Sequence, residues 1–324
     1  MAQNKLDELD RNIIYELDLD SSQSYVELGK KLGEPNETIA FRVKRLVDRG
    51  YIKSFINIVN FLELNSHYFK IFYKFQKVDE VIEKRIIDWL SKHPRISYLA
   101  EVQGRYDLVC APFGKDMHDL EAFLNEFKKE FGRYIAEQEI LPVIATHRFN
   151  TRFCKPDGQL RRQTLSGKGS SYELDPTETK IVKELARNSR VKVSDLAVQL
   201  GMSITAINNR ISALRRKDIL SSAVLDIDFE KFGKGYYQID VTGASIDVIN
   251  NIVDFFAAMP EAFFATRTLG KYDLALEMVL SSDDELNVIV KKIKDKFGSN
   301  IITLDTFKLK QHSINWFPGY DKKR

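Results

Sequence analysis

The sequence predicts an α+β fold built twice, each module a three-helix winged-type helix-turn-helix domain followed by a ferredoxin-like βαββαβ domain. Three observations predict it. Tyr25–Ile52 (YVELGKKLGEPNETIAFRVKRLVDRGYI), two short helices around a glycine turn, returns as Val193–Leu220 (VSDLAVQLGMSITAINNRISALRRKDIL). A shift of 168 residues lays Leu32-Gly33 on Leu200-Gly201, Ile39 on Ile207, Arg42 on Arg210 and Leu46 on Leu214. After each copy, strand-like and helix-like stretches alternate in the order strand, helix, strand, strand, helix, strand. A repeat this long marks duplicated domains rather than a solenoid. The predicted divisions are 1–60 and 173–228 for the helix-turn-helix domains with a strand hinge, 61–152 and 229–324 for the sheet domains, and 153–172 for a linker.

In chain order, the first helix begins after Asp7, whose carboxylate suits an N-cap, and buries Ile13, Ile14 and Leu17 on one face. Its counterpart starts with Asp175 as cap, Pro176 in the first helical position and Glu178 in the first turn. Ser24 with Glu27 forms a capping box for the second helix. Gly33 supplies the backbone freedom that a sharp turn requires. Pro35 is placed at the first position of the third helix, where Ile39, Val43 and Leu46 share the buried face. In the second copy the buried stripe is Ile207, Ile211 and Leu214.

The opposite faces are the candidate DNA surfaces: Asn36, Thr38, Phe41, Arg42 and Arg45 in one module, Ser203, Thr205, Asn208, Asn209, Arg210, Arg215 and Arg216 in the other. Glu34 and Glu37 at the leading end of the first recognition helix would be repelled by phosphates, so the second module is expected to dominate DNA binding.

The segments IKSFINIVN and LSSAVLDID, rich in β-branched residues, read as connecting strands. The sheet elements of the first module are Tyr68–Phe75, Val81–Leu90, Ile96–Val102, Tyr106–Phe113, Met117–Phe131 and Tyr134–His147. Those of the second are Gly235–Val241, Ile246–Ala258, Ala262–Leu269, Tyr272–Leu280, Asp283–Phe297 and Ile301–His312. The turn Gly104-Arg105-Tyr106-Asp107 corresponds to Gly270-Lys271-Tyr272-Asp273. Cys154–Glu173, polar and Gly/Ser-rich, reads as a tether made basic by Arg161, Arg162 and Lys168.

The chain's 324 residues exceed one ordinary core, and 44% hydrophobic with 29% charged residues is a globular composition. A net charge of +3 permits nucleic-acid binding without requiring it. No apolar signal core and no membrane-length apolar run is present, so a cytoplasmic location and no membrane partner are expected. Cys110 reads as a buried apolar thiol and Cys154 as a linker thiol, with no metal or redox spacing between them. Of five histidines, His147 and His312 stand at matching strand ends and read as a repeated surface position, with no nucleophile or carboxylate pair beside them. No nucleotide-binding glycine fingerprint or metal-ligand motif occurs; neither a cofactor nor enzyme activity is expected.

The doubled order of LDELDRNII, YVELGKKLG, GRYDL and GKYDL at the second-to-third strand turns, and DFEKFGKGY, resembles the Lrp/AsnC (feast/famine) transcription regulators over nearly the whole chain. The resemblance implies sequence-specific binding of double-stranded DNA by the helix-turn-helix domains and pairing of the sheet domains in a homo-oligomer. It also implies a small-molecule effector, commonly an amino acid, near Gly104, Arg105, Tyr106 and Asp107 and near Gly270, Lys271, Tyr272 and Asp273. A glycine for geometry and an aspartate for turn hydrogen bonds also account for these turns. An alternative resemblance is to siroheme decarboxylases, which look like paired modules of the same kind and act on a polycarboxylated tetrapyrrole. Such a substrate calls for arginines facing a large pocket, and the hinges Ser54–Val59 and Ser222–Asp226 contain none.

Overall fold

A computed structural model describes residues 6–64, 66–167 and 172–317. The first helix-turn-helix domain consists of α1 (Glu8–Leu19), α2 (Tyr25–Leu32) and α3 (Asn36–Asp48), the second of α6 (Pro176–Arg187), α7 (Val193–Leu200) and α8 (Ile204–Arg216). Their ends obey local chemistry. Asp7 accepts from the Asp10 N–H at 2.9 Å, and Ser24 with Glu27, like Asp175 with Glu178, forms a reciprocal capping box. Gly33 and Gly201 both turn in the left-handed region, at φ 71° and 63°. Pro35 precedes α3 as its N-cap rather than opening it, one residue from the expected place.

Each domain leads into a hinge strand, β1 (Ile52–Val59) and β7 (Leu220–Ile227), and the two pair antiparallel. Ile56 faces Val224, positions equivalent under the 168-residue repeat, so the pseudo-two-fold axis passes through that pair. Its other marks are reciprocal. The Ser21 N–H donates to the Ala223 carbonyl and the Ser189 N–H to the Phe55 carbonyl, while the Ser21 and Ser189 hydroxyls meet at 2.7 Å. Each helix-turn-helix domain is therefore fastened to the other module's hinge.

The first sheet domain contains β2 (His67–Phe75), α4 (Glu80–Lys92), β3 (Ile96–Gln103), β4 (Leu108–Gly114), α5 (Met117–Phe131) and β5 (Ile135–Phe149). After it comes β6 (Arg162–Ser166). The second sheet domain contains β8 (Gly235–Gly243), α9 (Ile246–Ala257), β9 (Ala262–Thr268), β10 (Leu274–Leu280), α10 (Asp283–Phe297) and β11 (Ile301–Ile314). Within the modules the strand orders are β5-β2-β4-β3 and β11-β8-β10-β9, the ferredoxin-like arrangement. The last strands are long enough to serve both sheets. β5 pairs with β2 through Phe75↔Ile135 to Phe69↔Pro142 and with β9 through Val143↔Thr268 to Arg148↔Phe264, while β11 pairs with β8 and then with β3. Eight strands thereby close into a ring within one chain, which removes the open edges that lone sheets expose. Helices α4 and α5 pack their Ile86, Leu90, Phe123 and Phe127 into the core of the first sheet, and α9 and α10 do the same in the second.

Two expectations are corrected here. The polar segment after Cys154 is not a bare tether: Arg162–Ser166 forms β6 against the outer half of β5. Arg161 donates to the Leu19 carbonyl, and Arg162 lies 2.6 Å from Asp254. Lys168 lies outside the described residues. Cys154 is buried in the apolar cluster shared by the first helix-turn-helix domain and the sheets, and burial pushes its thiol up to about 12. Cys110 is buried as expected, and burial raises its thiol strongly. Among the described residues no helix is long and apolar enough to cross a membrane, and no cluster of three or more His, Cys, Asp or Glu side chains could hold a metal ion.

Candidate DNA interface and ligand sites

The two recognition helices bury the predicted stripes, Ile39, Val43 and Leu46 on α3 and Ile207, Ile211 and Leu214 on α8. Their outer faces differ. On α3, Asn36, Glu37 and Phe41 are exposed and Thr38 is half-buried. Arg42 pairs with Asp7 and, at 3.1 Å, with Asp10; Arg45 reaches Asp10 at 2.6 Å. The Arg42 guanidinium holds the Asp7 carboxyl below its ordinary range. Two of the three basic groups nearest the centre of α3 are thus spent on fastening it to α1.

On α8, Ser203 caps the helix by accepting from the Ala206 N–H, and Thr205, Asn208 and Asn209 are exposed. Arg210 repeats the fastening role on Asp175 at 2.5 Å, the counterpart of the Arg42 contact. Arg215 and Arg216 are exposed and form no ion pair with a described carboxylate. No acidic side chain interrupts α8.

The Gly-x-Tyr-Asp turns lie where the two sheets join. Gly104, at φ 151°, sits so close to β11 that an added Cβ would be 2.9 Å from the Phe307 ring; one at Gly270 would be 3.1 Å from Leu141 of β5. Tyr106 and Tyr272 are both buried, and the Lys271 amine donates to the Tyr106 hydroxyl across the join at 2.9 Å. The Tyr272 hydroxyl donates to Asp305. Asp107 accepts from the Phe75 N–H at 2.7 Å and from Lys74 at 2.6 Å; Asp273 accepts from the Gly243 N–H at 3.0 Å. Both aspartates therefore pin a strand end; Arg105 is exposed, whereas Lys271 is half-buried with its amine against Tyr106.

Sequence reasoning missed a set of buried polar groups between the sheets. Asp18 on α1 is fully buried and accepts from Arg148 at 2.5 Å, the Thr151 N–H at 2.9 Å and the Leu225 N–H at 3.3 Å, tying the first helix-turn-helix domain to β5 and the hinge. Lys70 donates to Glu277 at 2.6 Å and to Gln238 at 2.9 Å, and Gln238 in turn donates to Asp240 at 2.6 Å. Burial raises the Asp240 carboxyl to about 7 although Lys70 opposes the shift. No sequence signal exists for these pairs, because their members lie from 130 to 207 residues apart, apart from the local Gln238–Asp240 contact.

Beside this set opens a cavity of about 180 Å³ under the hinge ribbon. The histidines separate. His147 is buried rather than at the surface, 2.9 Å from Thr164 and 3.1 Å from Arg162, and burial with the nearby Arg162 pushes its pKa down to about 4. His312 is exposed and contacts Glu101 at 2.6 Å.

Comparison with known proteins places this geometry. Residues 6–47 match the AsnC-type helix-turn-helix domain, and residues 174–221 match a winged helix-turn-helix DNA-binding domain. The chain is 30% identical over 122 residues to an uncharacterised HTH-type transcriptional regulator of Pyrococcus horikoshii, covering 38% of this chain and 76% of that protein. It is 33% identical over 124 residues to the HTH-type transcriptional regulator Ptr1 of Methanocaldococcus jannaschii, covering 37% and 80%. Among solved structures, the siroheme decarboxylase NirDL shares the tandem fold, with a TM-score of 0.66, 14% identity and coverage of 94% of this chain and 92% of that one. Relatives that match somewhat over a third of this chain but three quarters or more of their own length are what a regulator module present twice predicts: the chain belongs to the Lrp/AsnC family of helix-turn-helix transcription regulators, with two modules in one polypeptide.

Proposed function

We propose that the protein binds double-stranded DNA sequence-specifically, chiefly through α8, and that a small molecule such as an amino acid modulates the binding. The observation that carries the first part is the inequality of the recognition helices. Arg42 and Arg45 are committed to α1, whereas Arg215 and Arg216 remain available for phosphates and Thr205, Asn208 and Asn209 for base edges. Exposed Glu37 on α3 adds repulsion. Arg216→Ala should weaken binding across all sequences and reduce the salt slope by about one. Asn209→Ala should relax preference at one base position, by about 1 to 3 kcal/mol. Arg45→Ala should cost less DNA affinity than Arg216→Ala. The check is a salt-dependent binding series against the DNA upstream of the protein's own gene. A larger loss for Arg45→Ala would reverse the assignment of modules.

For the effector we place binding at the two Gly-x-Tyr-Asp turns, supported by their equivalent positions and the family resemblance. Arg105 and Lys271 offer charge there, while Asp107 and Asp273 hold the turns in shape. Calorimetric titration with amino acids should give binding that Asp107→Ala and Asp273→Ala weaken. Unchanged affinity in both variants would remove the turns as the site.

The tetrapyrrole reading is the weaker one. The likeness to NirDL concerns the fold, and about 180 Å³ is below the roughly 300 Å³ at which ordinary ligand pockets begin. The arginine in the cavity wall, Arg148, is bound to Asp18. Incubation with siroheme followed by absorbance at the Soret wavelength should show no binding.

A further inference from the structure

The cavity under the hinge ribbon is built on the pseudo-two-fold axis. Phe61 and Phe229, like Tyr68 and Tyr236, are equivalent under the 168-residue repeat, and both members of each pair stand in its wall. A chain therefore has one such site, unlike the turns, which occur twice. Of the charges in its wall, Lys70 sits on Glu277, which also accepts from the Tyr236 hydroxyl at 2.5 Å, and Arg148 sits on Asp18; Asp226 forms no ion pair with a described residue and accepts from the Trp316 indole at 3.3 Å. An anionic guest would lose its hydration without gaining a free counter-ion, and burial draws the Asp226 carboxyl toward its neutral form, so a cation gains little there.

Two polar atoms in the wall lack partners, the Asn60 side-chain oxygen and the Tyr98 hydroxyl. Asn60 is 1% exposed, and its amide nitrogen already donates to the Ser166 carbonyl at 3.2 Å, so its oxygen is the acceptor left over. The remaining wall is mostly apolar, aromatic and aliphatic side chains in similar number. A cavity of about 180 Å³ is slightly larger than the roughly 150 Å³ that accommodates benzene.

We propose that this cavity binds one small, neutral, flat aromatic molecule with a single N–H or O–H donor, and that its occupancy is felt by both helix-turn-helix domains. Arg148 in the wall holds Asp18 of α1. On the other side, Phe61 and Trp316 belong to the wall and also pack with the core of the second helix-turn-helix domain, where Phe61 meets Phe317 with ring centroids 5.9 Å apart. Trp316 further donates to Asp226 of the hinge at 3.3 Å. A guest pressing on these rings bears directly on the groups that seat the DNA-binding domains. The site stands apart from the turns, and binding there does not depend on the DNA-binding reading.

The test uses the full chain with indole and with benzofuran, which has the same shape without the donor. Calorimetry should give one site per chain, with indole bound about fivefold to tenfold more tightly, the net worth of one hydrogen bond. Leu165→Trp, which fills the cavity from half-buried β6, should abolish the heat while the thermal transition is retained. Asn60→Leu should erase the preference for indole. Amide exchange in Val59–Leu64 and α6 should slow on adding indole to the wild type and not to Leu165→Trp, which reads the coupling without DNA. No heat from either probe, two sites per chain, or undiminished binding by folded Leu165→Trp would overturn the site; unaltered exchange would overturn the coupling.

Discussion

Asp240 and His147 are buried acids and bases with opposite consequences for stability. Asp240 is faced by Lys70, Gln238, Glu277 and Asp305, and in the folded chain its pKa is raised from 3.8 to about 7, first by burial. A carboxyl raised on folding contributes stability at low pH that is lost as pH climbs from about 4 through about 7. His147, lowered from 6.5 to about 4, contributes stability above 6.5 that is lost as pH falls toward 4. Comparing wild type with Asp240→Asn isolates the first effect. The variant should gain on the wild type between pH 5 and pH 8 in stability from urea unfolding, by about 3 kcal/mol for the roughly two pH units between pH 5 and the folded pKa of about 7. Parallel pH profiles would show that Asp240 is ionised throughout. At this scale the sequence shows which residues can titrate, but the sign and size of a shift depend on neighbours brought in by the fold.

Helices and strands were largely legible, because their causes are local. Asp7, Ser24 and Asp175 act as caps within three residues of the N–H groups they accept from, and the stripe Ile39, Val43, Leu46 follows from helical spacing alone. The turn Gly104–Asp107 was recognisable from its residue types, yet Tyr106, read as the start of a strand, stays in the turn and the strand begins at Leu108. The Asp107 N–H donates to the Tyr73 carbonyl, a contact that no pattern along the chain reveals. Strand β6 escaped detection for a related reason. Arg162–Ser166 has weak β character by itself and becomes a strand because β5 offers it an unpaired edge. The candidate DNA faces of the recognition helices follow from helical spacing, but not the division of Arg42, Arg45 and Arg210 from Arg215 and Arg216, which only the placement of α1 and α6 makes.

In the whole molecule, the long strands β5 and β11 make each module incomplete alone. A polypeptide of residues 1–152 would retain an unpaired β3 edge and the outer half of β5, which in the full chain pair with β11 and β9. It should therefore assemble with a second copy of itself into a closed pair. Light scattering should give a dimer for that fragment; a stable monomer at micromolar concentration would show that ring closure is dispensable. The full chain already contains this pairing, and on the family pattern we expect it to assemble further, which the same measurement reports.

The sequence by itself determined the duplication, the two kinds of domain in each module and the faces of the recognition helices. Those features rest on periodicity, capping and turn chemistry, which act over a few residues, and on a 168-residue repeat visible in the letters. Tertiary structure alone decided that the modules pair within one chain, that Asp18 clasps Arg148, that Cys154 and His147 are buried, and that Asn60, Tyr98 and Trp316 enclose one cavity. Each of those outcomes depends on which distant segments meet when β5 and β11 cross from one sheet to the other, and that choice is made by closing the ring as a whole, not by any stretch of chain within it.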